Sequence, residues 1–227
     1  FQPDLVWGKN RSSASNHWLF DSVRGINKML QSDQTTAEET QSGVRAFNSF
    51  GFTLGTWIGS TKTNDSYVAW NWKAGGSAVS NTNGSITSSV SANPSAGFSI
   101  VSYTGNQTSG ATVGHGLSQP AEMLILKNRD SASFSWPVYH AKNTSAPATD
   151  YLYLNETQAT SDQIKFWNDT APTSTVFSLG DSSTPNANGA AYIAYAFHSV
   201  DGYSKVGSFI GNGSETAGPF VYCGFKP

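Results

Sequence analysis

Cysteine, formal charge and long apolar runs are all scarce in this chain. One cysteine, Cys223, in 227 residues excludes an internal disulfide and a thiolate metal cluster. Val221 and Phe225 flank it at strand spacing, so it reads as a small buried hydrophobe. Charged residues make up 12%, about half the roughly 25% of an average soluble domain. A net charge of −2 and a pI near 6.1 exclude a strongly basic nucleic-acid surface. No apolar run approaches the roughly 18 residues of a membrane-spanning helix. The opening Phe1-Gln2-Pro3-Asp4 shows neither basic start nor apolar core, so no signal peptide is expected in it.

Polarity comes instead from Ser, Thr and Asn, 71 residues in all, with 22 Gly. Aromatics reach 13%, including 7 Trp, which disordered chains lack. This composition suits extracellular or virion β-structure. Helical periodicity is weak: Val23, Ile26 and Leu30, and the stretch from Asp33 to Thr40, each support one or two turns. Strand signals are dense. Leu5–Trp7, Phe52–Leu54, Tyr67–Trp72, Phe98–Tyr103, Met123–Leu126, Tyr151–Leu154, Val176–Leu179, Tyr192–Phe197 and Phe220–Cys223 are short, β-branched or aromatic, and bounded by turn residues.

An internal repeat organises these strands. Lys9-Asn10-Arg11 recurs as Lys127-Asn128-Arg129 and Trp18 as Trp136, both at an offset of 118. Phe52-Thr53-Leu54-Gly55 matches Phe177-Ser178-Leu179-Gly180, and Tyr67–Trp72 matches Tyr192–Phe197, both at 125. Gly97-Phe98 with Tyr103-Thr104-Gly105-Asn106 returns as Gly202-Tyr203 with Phe209-Ile210-Gly211-Asn212. The ends match as well: Gly224-Phe225-Lys226-Pro227 closes on the Phe-x-Pro with which residue 1 begins. The chain therefore reads as whole units in permuted register. The opening strand of the first unit is expected from residues 207–227, folded back or donated to a neighbour.

Taken in order, Tyr-x-Gly-Asn, Gly-Phe-x-Pro, apolar strand, Lys-Asn-Arg, Trp, Gly-Phe-Thr-Leu-Gly and Tyr-Val-Ala-Trp resemble a repeat module of tail and other structural proteins of phages and prophages, familiar from phages of marine and cyanobacterial hosts. The resemblance covers nearly the whole chain in two copies. It implies a virion or filament component and no catalytic residues.

Motifs of chemistry are absent. His17, His115, His140 and His198 lack metal-ligand spacing. Asp181, Asn186 and Asn188 fit turn chemistry better than a calcium loop. There is neither a Gly-x-Ser-x-Gly elbow nor a phosphate loop. Asp150, Glu156 and Asp169 are the carboxylates a glycosidase would need, without a signature that singles them out. The Lys-Asn-Arg triplets read as caps on exposed strand ends rather than anion sites. Trp57 lies outside the matched blocks and is a candidate for stacking on a sugar. Trp167, Asn168 and Asp169 combine an aromatic with polar side chains, as glycan sites do.

The expected fold is all-β: two similar antiparallel β-sandwich units in tandem, residues 1–96 and 97–206, with 207–227 as closing or donor strand. Phe209, Ile210, Phe220, Val221, Tyr222 and Phe225 are the residues expected in an assembly strand. The leading function is a structural subunit of an extracellular or virion fibre, tail or filament, partnered by copies of itself or other subunits. A lectin-like module binding host-surface glycan is the alternative, with a polysaccharide-degrading enzyme as a remote one. Neither cofactor nor catalytic residue is expected, nor any metal, nucleic-acid or membrane partner.

Overall fold

A computed structural model describes residues 1–226. Among the described residues the chain is all-β, with three one-turn α-helices and one 3-10 turn at Pro94–Ala96. Its first part holds β1 (Leu5–Asn10), β2 (Trp18–Asp21), β3 (Lys28–Met29), β4 (Glu39–Thr40), β5 (Val44–Asn48), β6 (Gly51–Leu54), α1 (Ile58–Thr61) and β7 (Tyr67–Trp72). Then come β8 (Val79–Asn81), β9 (Ser88–Asn93), β10 (Phe98–Thr104), β11 (Ala111–Gly114), β12 (Met123–Asn128), β13 (Pro137–His140) and β14 (Asp150–Tyr153). The last elements are β15 (Ser161–Asp162), α2 (Ile164–Trp167), β16 (Val176–Leu179), α3 (Ser183–Asn186) and β17 (Ala191–Phe197).

The repeat is visible in the sheets. One sheet runs β2-β1-β7, and a larger one contains the same antiparallel order as β13-β12-β17 within β15-β14-β13-β12-β17-β10-β9-β8. Leu5 pairs with Trp72 as Met123 pairs with Phe197, so β1 and β12 differ by 118 and β7 and β17 by 125. Asn10 and Asn128 each bond a tyrosine hydroxyl, Tyr67 at 3.2 Å and Tyr192 at 2.9 Å. Each also turns the chain after its strand, its Oδ1 accepting from the backbone N–H groups two and three residues on. The segments expected to be short helices are not helical. Residues 22–24 form a turn, and Asp33 accepts from the His17 backbone N–H instead of capping a helix.

Alternation along the strands builds four layers. Leu124, Leu126, Tyr192, Ala194 and Ala196 pack against Phe177 and Leu179 of β16 and the α2 residues Phe166 and Trp167. The other face of that sheet, Ile125, Ile193 and Tyr195, meets Leu5 and Leu19 of the small sheet. Val6, Trp18 and Phe20 point away from this seam, toward Val44 and Phe52 of the β5–β6 hairpin. Equivalent faces of the two repeats thus meet each other.

Two boundaries differ from expectation. Residue 96 does not divide the molecule, because β9 pairs with β10 along six positions and places residues 79–93 in the second repeat's sheet. Residues 207–226 form no strand. Phe209, Ile210, Phe220, Val221 and Tyr222 are exposed there, and Phe225 is half-buried. The chain does not close on its own first repeat. Cys223, in this segment, is half-exposed rather than buried.

Trp18 and Trp136 do not occupy equivalent places, although both are buried. Trp18 pairs with Gly8, whereas β12 and β13 pair Ile125 with Val138, which shifts the second strand by one residue. A one-residue slip reverses the face a side chain points to. Trp18 therefore faces the hairpin and Trp136 the seam between repeats. Gly8 makes room: a Cβ there would lie inside the Trp18 indole, while the repeat-equivalent position carries Leu126. Replacing either tryptophan by Ala is expected to cost about 3–5 kcal/mol. Gly8→Ala is expected to cost about 1–3 kcal/mol with Trp18 present and less in a Trp18→Leu background. A double-mutant cycle by urea unfolding reads the coupling; additive effects would place the ring elsewhere.

Candidate functional site

The second Lys-Asn-Arg triplet is an interior joint rather than a strand-end cap, whereas in the first only Asn10 is buried, Lys9 being half-exposed and Arg11 exposed. β1 and β12 each have a neighbour on both sides. Lys127 is fully buried, its Nζ donating to the carbonyls of Thr35 (3.0 Å), Ser131 (3.2 Å) and Phe134 (3.0 Å). The Trp136 indole N–H donates to the Gln31 and Gln34 carbonyls at 3.1 and 3.0 Å. The loop 31–38 of the first repeat is thereby tied to the second. Glu38 accepts both Nε and Nη2 of Arg129, at 2.8 and 3.0 Å, and also Nη1 of Arg24 at 3.2 Å. Arg24 Nε lies 2.5 Å from Asp21, which also accepts the Tyr195 hydroxyl at 2.8 Å. Burial disfavours charge on Arg24, but Asp21, Tyr195 and Glu38 outweigh it and raise its pKa. Burial likewise opposes ionisation of Glu38, yet its bonds to Arg129 and Arg24 hold it below the usual carboxylate range. These paired charges are absorbed in structure and present no free anion site.

Of the residues expected to touch glycan, none forms an open platform. Trp167 is 1% exposed, and its indole N–H donates to the Asp150 carbonyl at 3.0 Å. Asn168 ends α2 in a left-handed conformation and accepts from the Ser109 hydroxyl at 2.8 Å. Asp169 is exposed beside it. Trp57 is half-buried against the Trp18–Phe20 cluster, its ring lying over Gly59. The carboxylates do not gather either: Asp150 accepts from Thr144 and Glu156 from Ser135. Asn186 is buried, joining the Thr108 and Gly180 carbonyls to the Asn106 N–H. Among the described residues no group of three or more His, Cys, Asp or Glu side chains is arranged to hold a metal ion. A cavity of about 480 Å³ beside Glu122, His198 and Asp201 is open to solvent; Glu122 is engaged by the Ser199 N–H at 2.5 Å.

The structure brings together a different set. Trp7 and Trp70 are cross-strand partners, and Trp72, two residues on, shares their face. With His17 they line an open apolar hollow of about 300 Å³. Trp7 and Trp70 meet edge-on with centroids 6.1 Å apart, and the His17 ring lies parallel to Trp70 at 6.5 Å. The Trp7 N–H donates to His17 Nδ1 at 2.9 Å, leaving the His17 proton on Nε2. Burial lowers the pKa of His17, more than Asp33 raises it, so the imidazole is neutral at pH 7. Trp70 remains 44% exposed. The Trp70-Asn71-Trp72 spacing already implies one shared face; the approach of Trp7 and His17 depends on strand register.

The hollow lies at an open sheet edge. β2 is closed on its outer side by Leu30, which exchanges backbone bonds with Leu19 at 2.9 and 3.1 Å. β7 has β1 as its only ladder partner among the described residues. Arg11 N–H donates to Ser66 and Asp4 N–H to Trp72, so Tyr67, Ala69 and Asn71 turn their backbone groups outward. In the other repeat the same edge is filled, since β17 pairs with β10 from Phe98–Phe197 to Thr104–Ala191.

Comparison with known proteins follows the same division between fold and function. Over residues 1–227 the sequence matches a family described as a domain of unknown function, DUF7483. The chain belongs to that family. No curated protein and no solved structure matches it.

One titration is expected from the triplet chemistry. Burial lowers Lys127 from 10.5 to about 8. The charged amine therefore costs stability at neutral pH, and that cost fades as pH rises from about 8 toward the unfolded value. Between pH 7 and 9.5 the stability of the parent protein relative to Lys127→Met should rise with pH, measured by urea midpoints. A difference independent of pH would show that the buried amine does not titrate there.

Proposed function

We propose that this protein is a structural subunit of an extracellular or virion fibre, tail or filament, built to join copies of itself or related subunits. The observation that carries this reading is the doubled β-unit with one sheet edge filled and its counterpart open. Apolar surface at that open edge, with an exposed apolar tail segment, is what a subunit that associates through strands presents. The likeness of its motifs to phage and prophage structural modules agrees with it. Sedimentation velocity and electron microscopy of the purified chain at micromolar concentrations should show concentration-dependent oligomers or filaments. A strict monomer that joins no particle or fibre would remove this reading.

The second reading, a module that binds host-surface glycan, is favoured by the Trp7, His17, Trp70 and Trp72 hollow. An exposed indole face stacks on the apolar face of a pyranose, and His17 Nε2–H supplies a hydrogen-bond donor. On this reading, Trp70→Ala weakens oligosaccharide binding at least tenfold, followed by tryptophan fluorescence, while Trp57→Ala changes affinity by less than twofold. Equal losses in both variants, or no binding to any surface glycan tested, would set it aside.

A further inference from the structure

We infer that the open edge of β7 receives the segment Gly207–Asn212 of a second copy, adding it as the strand that β10 supplies in the other repeat. This rests on the assembly reading above and names its contact.

Donor and acceptor are specified by the repeat. Tyr103 stands opposite Tyr192 in the β10–β17 ladder, with their rings stacked at 5.0 Å and 10°. Tyr67 is the repeat equivalent of Tyr192, and Phe209 that of Tyr103, each within its matched block of sequence. Transferring the pairing sets Phe209 opposite Tyr67 and, in antiparallel sense, Gly207 opposite Ala69. The outward-facing backbone groups of Tyr67 and Ala69 then gain a ladder, and Asn71 falls opposite Lys205, just before the donor segment. An occupied edge also narrows the exposure of Trp70.

The donor is free to leave its own molecule. Residues 207–226 make no strand, and Phe209 and Ile210 are 68% and 89% exposed. Gly207 and Gly211 have open space around them. An apolar segment in water and an unpaired apolar edge are each costly, and one strand addition relieves both. Because donor and acceptor surfaces differ, the contact is head-to-tail and propagates unless the rotation closes a ring. Tyr203 and Ser204 border a hollow with Asn71 and Trp72 of their own chain, so a return onto the same β7 is the competing arrangement.

Mixed cross-linking separates the two. In a Cys223→Ser background, one chain carries Ala69→Cys and a second, size-tagged chain carries Gly207→Cys. They are mixed, oxidised mildly and run without reductant. Strand exchange yields a mixed covalent dimer, absent when either chain lacks its new cysteine. Deleting residues 207–227 should abolish the dimer and reduce self-association at least tenfold, with the far-ultraviolet spectrum of the remaining β-structure retained. Internal cross-linking in the double variant without a mixed dimer would overturn the exchange in favour of self-closure. No cross-link in either arrangement also overturns it, and a deletion that leaves association unchanged does the same. Filaments lacking the mixed cross-link would overturn the exchange while leaving the structural-subunit reading intact. Mixed dimers that never enter a larger assembly would support the exchange and remove that reading.

Discussion

The rest of the structure depends on the seam where equivalent faces of the two repeats meet. Leu5 and Leu19 on one side and Ile125, Ile193 and Tyr195 on the other are each no more than 8% exposed. A sheet that is apolar on both faces must be covered on both. The repeats meet this requirement by covering each other on one side and folding a hairpin or helix over the other. Neither sheet is finished by its own repeat, which is why residue 96 is no boundary and why 79–93 joins the larger sheet.

Polar groups reinforce the seam rather than compete with it. Arg24, Asp21, Glu38, Arg129 and Tyr195 form one buried network across it, and the loop 31–38 supplies carbonyls to Lys127 and Trp136. Buried charges of this kind are tolerated only when fully partnered. Their geometry fixes how the repeats are set against each other, a specificity that apolar packing alone provides weakly. The same demand explains how one motif came to serve in two surroundings. Lys9 is half-exposed and bonds Ser15 at 2.7 Å, whereas Lys127 lies inside the contact.

The repeats differ most at the edge of the small sheet. The faces that the second repeat buries as Ile125, Tyr195 and Phe197 are carried in the first by Trp7, Trp70 and Trp72. There the sheet stops at β7 and the indoles reach solvent. The second repeat's edge is filled by β10, while that of the first leaves its backbone groups and indoles uncovered.

The residues alone determined the all-β class, eight of the nine strand segments and the repeat itself, because period-two patterning and turn chemistry are local properties. Residues 220–223 carry the same pattern yet form no strand, since a strand exists only where a partner offers its ladder. The short helices expected near Ser22 and Asp33 failed for a related reason. Gly25 adopts φ +102° and breaks the turn after Asp21, and Asp33 spends its side chain on the His17 backbone N–H group. Trp167 looked like a glycan contact from its neighbours and is core, because burial is a property of position. The cluster of Trp7, His17, Trp70 and Trp72 was legible only in its Trp70–Trp72 spacing. Bringing four rings together required the register of β1 against β2 and β7, and that register is set by packing between residues far apart in the chain.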